Sequence, residues 1–344
     1  MSQSGSDPGD IVHPRDVYDF HNGQAVEAAF LDALARGRLH HAWLLCGPEG
    51  VGKATFAYRA ARRLMGARPD LASGALGSAR EDIVSRQIAA RSHPDLMVLE
   101  RVGEDGKLRK VIPVDDARRL PEFFSKAPAS SPYRVAIIDA VDDMNANAAN
   151  ALLKTLEEPP ERGVLFLISH APGGLLPTIR SRCRRLRFDA WSQEDAARFL
   201  TERTGASDED ALRLAAMARG APGRALELAG RDAIALDRVA REILRQLPDA
   251  DPVPLLSLTD SFRGAEGALR FDLLFERLAE QVHARALEAA GEAAGQGAAP
   301  SDRWFSVWDR LVRLPQQVEA VNLDRTDAFW AAMADLRAAA RAGA

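Results

Sequence analysis

The chain has 344 residues, enough for two or three domains, and its 47% hydrophobic content supports substantial cores. A mean hydropathy of −0.20 with no unbroken apolar run of membrane-spanning length speaks against a membrane span, and a net charge of −4 with a pI near 6.0 excludes a free-standing, strongly basic DNA binder. The two cysteines, Cys46 and Cys183, are too few for a disulfide framework or a Cys₄ zinc site, so a reduced, cytoplasmic protein is expected.

The opening MSQSGSDPGD is polar and rich in Gly and Ser, and reads as a disordered start and not as a secretory signal. AWLLC (42–46) is a short apolar strand that runs into GPEGVGKAT (47–55), and the stretch from Gly52 to Leu64 follows as a helix. A phosphate-binding loop needs that strand before it and that helix after it. Gly47, Gly50 and Gly52 let backbone N–H groups curl around phosphate, Val51 lies between them, and Lys53 supplies positive charge. The template then requires Ser or Thr to ligate Mg²⁺, and here that position is Ala54. Thr55 does not replace it, because one residue along a helix is a rotation of about 100°. The architecture indicates a nucleotide fold, and the chemistry indicates weak or absent hydrolysis.

LMVLE (96–100) is a second strand, and Val114 to Phe124 is a helix with Asp115 and Asp116 near its start, where the macrodipole favours acids. YRVAIID (133–139) is a third strand, apolar enough to be buried on both faces, and it ends in Asp139. An acidic residue at such a strand end holds Mg²⁺ in P-loop enzymes, and ring ATPases follow it with a Glu that activates water; here the next residue is Ala140. Asp142 and Asp143 fall in the loop beyond and read as an ordinary solvated turn. Asn145 to Glu158 is a helix with Ala149, Leu152, Leu153 and Leu156 on one face, stopped by Pro159-Pro160. VLFLIS (164–169) is a fourth strand, with His170 at its end read as structural, and RRLRF (184–188) is a candidate fifth. Arginine is abundant and lysine scarce, so Arg180, Arg182, Arg184, Arg185 and Arg187 read by composition alone as a solvated face.

After Trp191 strand signals cease. Ser192 is placed to cap a helix running to Thr204, helical spacing continues through Ala211–Ala218, and Gly220-Ala221-Pro222-Gly223 breaks it before Leu228. From about Asp232 the pattern is helical to the end, apart from an Ala/Gly-rich loop at Gly291–Ser301.

RLHHAWLLCGPEGVGKAT, SHPDLMVLE, VAIIDAVDDMNANAANALLKTLEEPP, PTIRSRC, GAPGRAL and NLDRTDAF, in that order, resemble segments of the clamp-loader branch of the AAA+ ATPases, and within it most closely the delta-prime subunits of bacterial DNA polymerase III. The resemblance extends over nearly the whole chain. It implies an α/β AAA+ P-loop domain (1–190, a parallel sheet with flanking helices), a small helical lid (191–231) and an all-α collar (232–344) that joins five subunits in a ring. It implies that Arg182 of Ser181-Arg182-Cys183 acts in trans, as an arginine finger in a neighbour's ATP site, and that Cys183 is a small buried hydrophobe. Asp139 and Arg224 then face this subunit's own nucleotide, together with the loop residues.

ATP or ADP is the candidate occupant, with Mg²⁺ held weakly or not at all. Many relatives carry a four-cysteine zinc module, but residues 54–134 contain no cysteine, so no zinc is expected and Gly66–Ser92 forms helix and loop instead. The implied partners are the gamma/tau and delta subunits in a hetero-pentameric ring, with the sliding clamp and primed DNA reached through that complex. Any polymerase activity belongs to the assembly. The alternatives are an active gamma/tau-like motor subunit, against which Ala54, Ala140 and the missing zinc quartet count, and another P-loop protein such as a small-molecule kinase, which the helical C-terminal third disfavours.

Overall fold

Five short apolar segments pair into one parallel sheet: β1 (Ala42–Cys46), β2 (Leu96–Glu100), β3 (Arg134–Asp139), β4 (Gly163–Ser169) and β5 (Arg184–Arg187), in the order β2-β3-β4-β1-β5. The computed structural model describes residues 12–102, 109–292 and 299–341; the opening decapeptide lies outside them. Parallel strands need long crossovers, and helices supply them. α1 (Gln24–Ala35), α2 (Lys53–Leu64), α3 (Ile83–Ala89), α4 (Val114–Ser125), α5 (Ala146–Glu157) and the short α6 (Pro177–Ser181) lie before or between the strands.

Because both faces are covered, alternate strand residues feed two separate cores. Trp43, Leu45, Val135, Ile137, Phe166 and Ile168 pack with Phe30 of α1 and Phe56 of α2. Leu44, Ala136, Ile138, Leu165 and Leu167 pack with Leu120 of α4 and with Leu152 and Leu156 of α5. The register aligns Cys46 with Ser169 and Glu100 with Asp139, which gathers the polar strand ends along the carboxyl edge of the sheet.

The expected elements are present with small shifts at their ends. Asn145 is the cap of α5, its Oδ1 accepting the Ala148 N–H at 3.0 Å, and the helix ends two residues before Pro159. Ser192 caps α7 (Gln193–Thr204), accepting the Asp195 N–H at 3.0 Å. α8 (Asp208–Met217) follows, then α9 (Pro222–Gly230). The expected break at 220–223 is narrower than its composition suggests: Pro222 begins α9, a position where its fixed φ and missing N–H cost nothing.

The chain divides into two compact units, Met1–Glu227 and Leu228–Ala344. The second consists of α10 (Ala233–Arg245), α11 (Pro252–Asp260), α12 (Gly264–Glu292), α13 (Ala299–Val321) and α14 (Arg325–Arg341). Its centre is an aromatic cluster in which Phe271 lies tilted against Phe275 at 4.4 Å and meets Phe262 edge-on at 5.3 Å, with Phe329 of α14 closing it. The Ala/Gly-rich stretch expected as loop is partly helix, because α12 runs to Glu292 and α13 begins at Ala299; residues 293–298 lie outside the described part. No helix among the described residues is long and apolar enough to cross a membrane.

Two buried polar clusters hold the first unit in place, and both escape a reading of local sequence. Arg59 of α2 is 1% exposed and makes an ion pair with Glu27 of α1 at 2.8 Å. Its guanidinium also donates to the Ser73 carbonyl at 2.7 Å and to that of Tyr18. The arginine thus fastens the 66–92 segment to the two helices beneath it. Asp95, fully buried, accepts the N–H groups of Ala129, Ser130 and Ser131 at 2.8, 2.9 and 3.1 Å and the Ser131 hydroxyl at 2.8 Å. Burial alone would raise the Asp95 pKa, but these hydrogen bonds overcome it and hold the carboxyl below its ordinary range. The loop from α4 into β3 is shaped around that one carboxylate.

Candidate functional site

The loop between β1 and α2 lies at the carboxyl edge, where parallel α/β sheets bind ligands. Gly50 has φ of +77° and Gly52, the cap of α2, has φ of +97°, conformations that residues with a Cβ rarely adopt. At Gly50 the requirement is also steric, because a Cβ there would meet the Arg224 backbone nitrogen at 2.5 Å. The Gly223 N–H donates to the Gly50 carbonyl at 2.8 Å, so the first turn of α9 rests directly on the loop.

Lys53 is 3% exposed, and its ammonium donates to the loop's own carbonyls, at 2.6 Å to Gly47 and also to Pro48. Burial lowers its pKa to about 8 against the pull of Asp139, Glu49 and Asp142. Val51 directs its side chain into the core, leaving only its backbone for a ligand, while Ala54 and Thr55 are half-buried on the first turn of α2. The first-turn N–H groups of α2 have no intrahelical acceptor, and with the glycines and Lys53 they suit a phosphate. The same residues do not suit Mg²⁺ equally, since the Ala54 side chain has no hydroxyl to offer. Among the described residues no group of three or more His, Cys, Asp or Glu is arranged to hold a metal ion.

Asp139 lies at the end of β3, beside Glu100 in the sheet register. Burial, and then the Glu100 charge, raise its pKa to about 6, with Lys53 opposing. The folded chain therefore holds this proton more tightly than the unfolded chain, whose value is 3.8. The contribution to stability is complete below 3.8 and is lost as pH rises through 6. Asp139→Asn, which never ionises, is expected to stabilise the protein at pH 7 by about 1–2 kcal/mol. Urea midpoints measured at pH 4 and pH 7 check this: the advantage of the variant should grow with pH, and equal differences at both would show that the carboxylate is comfortable where it sits.

Asp142 corrects the reading of its segment as a solvated turn. Its carboxylate accepts the Ser169 hydroxyl at 2.9 Å, the His170 N–H at 2.7 Å and the Ala171 N–H at 3.2 Å. It pins the end of β4 to the residues after β3. Asp143 is paired with Arg101 at 3.0 Å. His170 is half-buried; burial and then the nearby Lys53 charge lower its pKa, and Nδ1 is buried with no hydrogen-bond partner among the described residues.

Arg182 lies apart from this loop, as the cap residue after α6. Its side chain is 37% exposed and forms an ion pair with Glu157, the last residue of α5, at 3.1 Å. Its Nη1 also donates to the Thr178 carbonyl at 3.2 Å. Burial pushes the neighbouring Cys183 thiol up to about 12, which keeps it unreactive. Arg184, Arg185 and Arg187 are exposed on the edge strand β5, the first over the Trp43 ring and the third paired with Asp189. Arg224 extends from α9 and pairs with Glu227 at 3.1 Å.

A family model described as DNA polymerase III, delta subunit, matches residues 23–192. The DNA polymerase III subunit delta' of Pseudomonas aeruginosa is 34% identical over 310 residues, covering 84% of this chain and 89% of that protein. The subunit tau of Escherichia coli is 29% identical over 288 residues, covering 80% of this chain but 42% of the longer relative. The crystal structure of a DNA polymerase III gamma subunit-related protein from Thermotoga maritima covers 90% of this chain and 98% of its own, with a TM-score of 0.45 and 18% identity.

Proposed function

The chain belongs to the family of DNA polymerase III delta-prime subunits and is a clamp-loader subunit of that polymerase, and on this basis we propose that it serves as a non-hydrolysing stator of the loader. The observation that carries this reading is a phosphate loop complete in its backbone, yet with Ala54 where the metal needs a hydroxyl and Ala140 where water needs a base. Each loss removes a separate part of phosphoryl-transfer chemistry, and the two together argue against turnover. Arg182 stands outside that loop, partly exposed, and in this reading it enters the ATP site of the adjacent gamma/tau subunit. The loop itself holds ATP or ADP through Gly47, Gly50, Val51, Gly52, Lys53, Ala54 and Thr55, with Asp139 and Arg224 facing the nucleotide and Mg²⁺ adding little.

The residues 1–190, 191–231 and 232–344 then act as AAA+ domain, lid and collar, the last joining a hetero-pentamer with gamma/tau and delta subunits in the cytoplasm. That ring places the sliding clamp on primed DNA. The gamma/tau-like alternative gains nothing from Ala54 and Ala140.

The test is reconstitution with gamma/tau, delta, sliding clamp and primed DNA. Adding this chain should restore DNA-stimulated ATP hydrolysis and clamp loading, while the isolated chain hydrolyses no ATP. Turnover by the isolated chain at a rate comparable to gamma/tau would end the stator reading.

A further inference from the structure

Helix α5 ends in a way that its own electrostatics disfavour. Glu157 is its last residue and Glu158 follows, although the carboxyl end of a helix carries partial negative charge and favours cations. Pro159 and Pro160 hold the chain out of helix immediately afterwards, so the helix ends at a fixed point in the chain. Departures from local rules concentrate where a side chain has a task beyond folding. Lys154 is a cation in the same last turn, but the one that pairs with this carboxylate is Arg182, 25 residues on, whose Nη2 lies 3.1 Å from the Glu157 Oε1.

The contact leaves the arginine usable. A guanidinium has five N–H donors in a planar fork. One goes to Glu157 and one, from Nη1, to the Thr178 carbonyl at 3.2 Å. The two contacts fix the plane of the group between α5 and α6 while other donors remain for an anion, and both residues of the pair are reached by solvent, at 37% and 53% exposure.

We propose that Glu157 is a positioning residue for Arg182, holding the guanidinium in the orientation from which it meets the triphosphate of a neighbouring subunit. The proposal rests on the trans role of Arg182 and adds to it a residue that touches neither nucleotide nor reacting atoms. Without the carboxylate, Arg182 samples its several rotamers, and the fraction aligned with the developing charge falls. Alignment acts on the transition state more than on ground-state binding, so the loss appears in kcat and not in KM.

The experiment uses the full-length chain in a reconstituted loader and reads DNA-stimulated ATP hydrolysis. Glu157→Gln is expected to lower kcat at the site Arg182 enters about three- to fivefold, the size appropriate to one partly exposed ion pair, with KM for ATP changed less than about twofold. Glu157→Asp, which keeps the charge on a shorter arm, should recover most of the loss. In an Arg182→Ala background Glu157→Gln should change nothing further.

The proposal is overturned by wild-type or faster turnover in Glu157→Gln, by the same loss persisting without Arg182, or by dissociation of the ring on size-exclusion chromatography, which would make Glu157 an assembly contact. A damaging Arg182→Ala with a silent Glu157→Gln removes this proposal alone. A silent Arg182→Ala removes the trans role and this proposal with it.

Discussion

Replacing Arg182 by alanine in a reconstituted loader is expected to cut ATP turnover at the site it enters by about 10³-fold or more, the range found when a trans arginine is withdrawn from phosphoryl transfer. The bulk rate falls less, by about the share that this one site contributes, because other sites in a ring keep their own arginines. The reason is electrostatic: charge gathers on the equatorial oxygens as the bond to the leaving phosphate lengthens, and a planar guanidinium in a dry interface neutralises it. The counterpart is Lys53→Ala, which should leave turnover within about twofold, since a loop lacking hydroxyl and base contributes no hydrolysis to lose. Reversal of the two results, with Lys53→Ala the damaging change, would mean that this chain burns its own ATP.

The largest effect expected on stability comes from Glu27→Gln. Arg59 would then stand 1% exposed with its charge uncompensated, and breaking one side of such a pair costs about 3–5 kcal/mol. The first thermal transition should drop by roughly 10 °C, at the few degrees per kcal/mol that suit a unit of this size. Glu27→Gln combined with Arg59→Met should recover much of the loss, because two neutral groups leave no buried charge. A chelator should leave the melt of the wild-type chain unmoved. A Glu27→Gln melt within about 2 °C of the parent would show that the segment over α2 is held by something else.

What could be read from sequence divides along the range of the interactions. The strand AWLLC, the glycine loop after it, the apolar YRVAIID and the capped helix beginning at Asn145 are each specified by residues within one element, and each is in its expected place. Asp142 was not legible, because its hydrogen-bond donors are at Ser169, His170 and Ala171, and nothing near it in the chain signals that β4 will end beside it. Glu27 and Arg59 are 32 residues apart and meet only once α1 and α2 pack. In a chain so rich in arginine, Arg59 carries no mark that separates it from its solvated relatives. Pro222 and Gly223 misled in the opposite sense: residues that usually interrupt a helix start one here, and Gly223 supplies the N–H that meets Gly50.

That meeting, with the lysine folded onto its own loop, bears on timing. A motor subunit changes shape as ATP arrives, is cleaved and leaves, so its surface is a function of the cycle. Here the Gly50 carbonyl is satisfied by Gly223, and the Lys53 ammonium by Gly47 and Pro48, without any input from outside the chain. In the stator reading, a member built this way shows its neighbours the same face at every stage, and a ring of moving parts gains from it one edge that keeps still, against which each round of opening and closing can be measured.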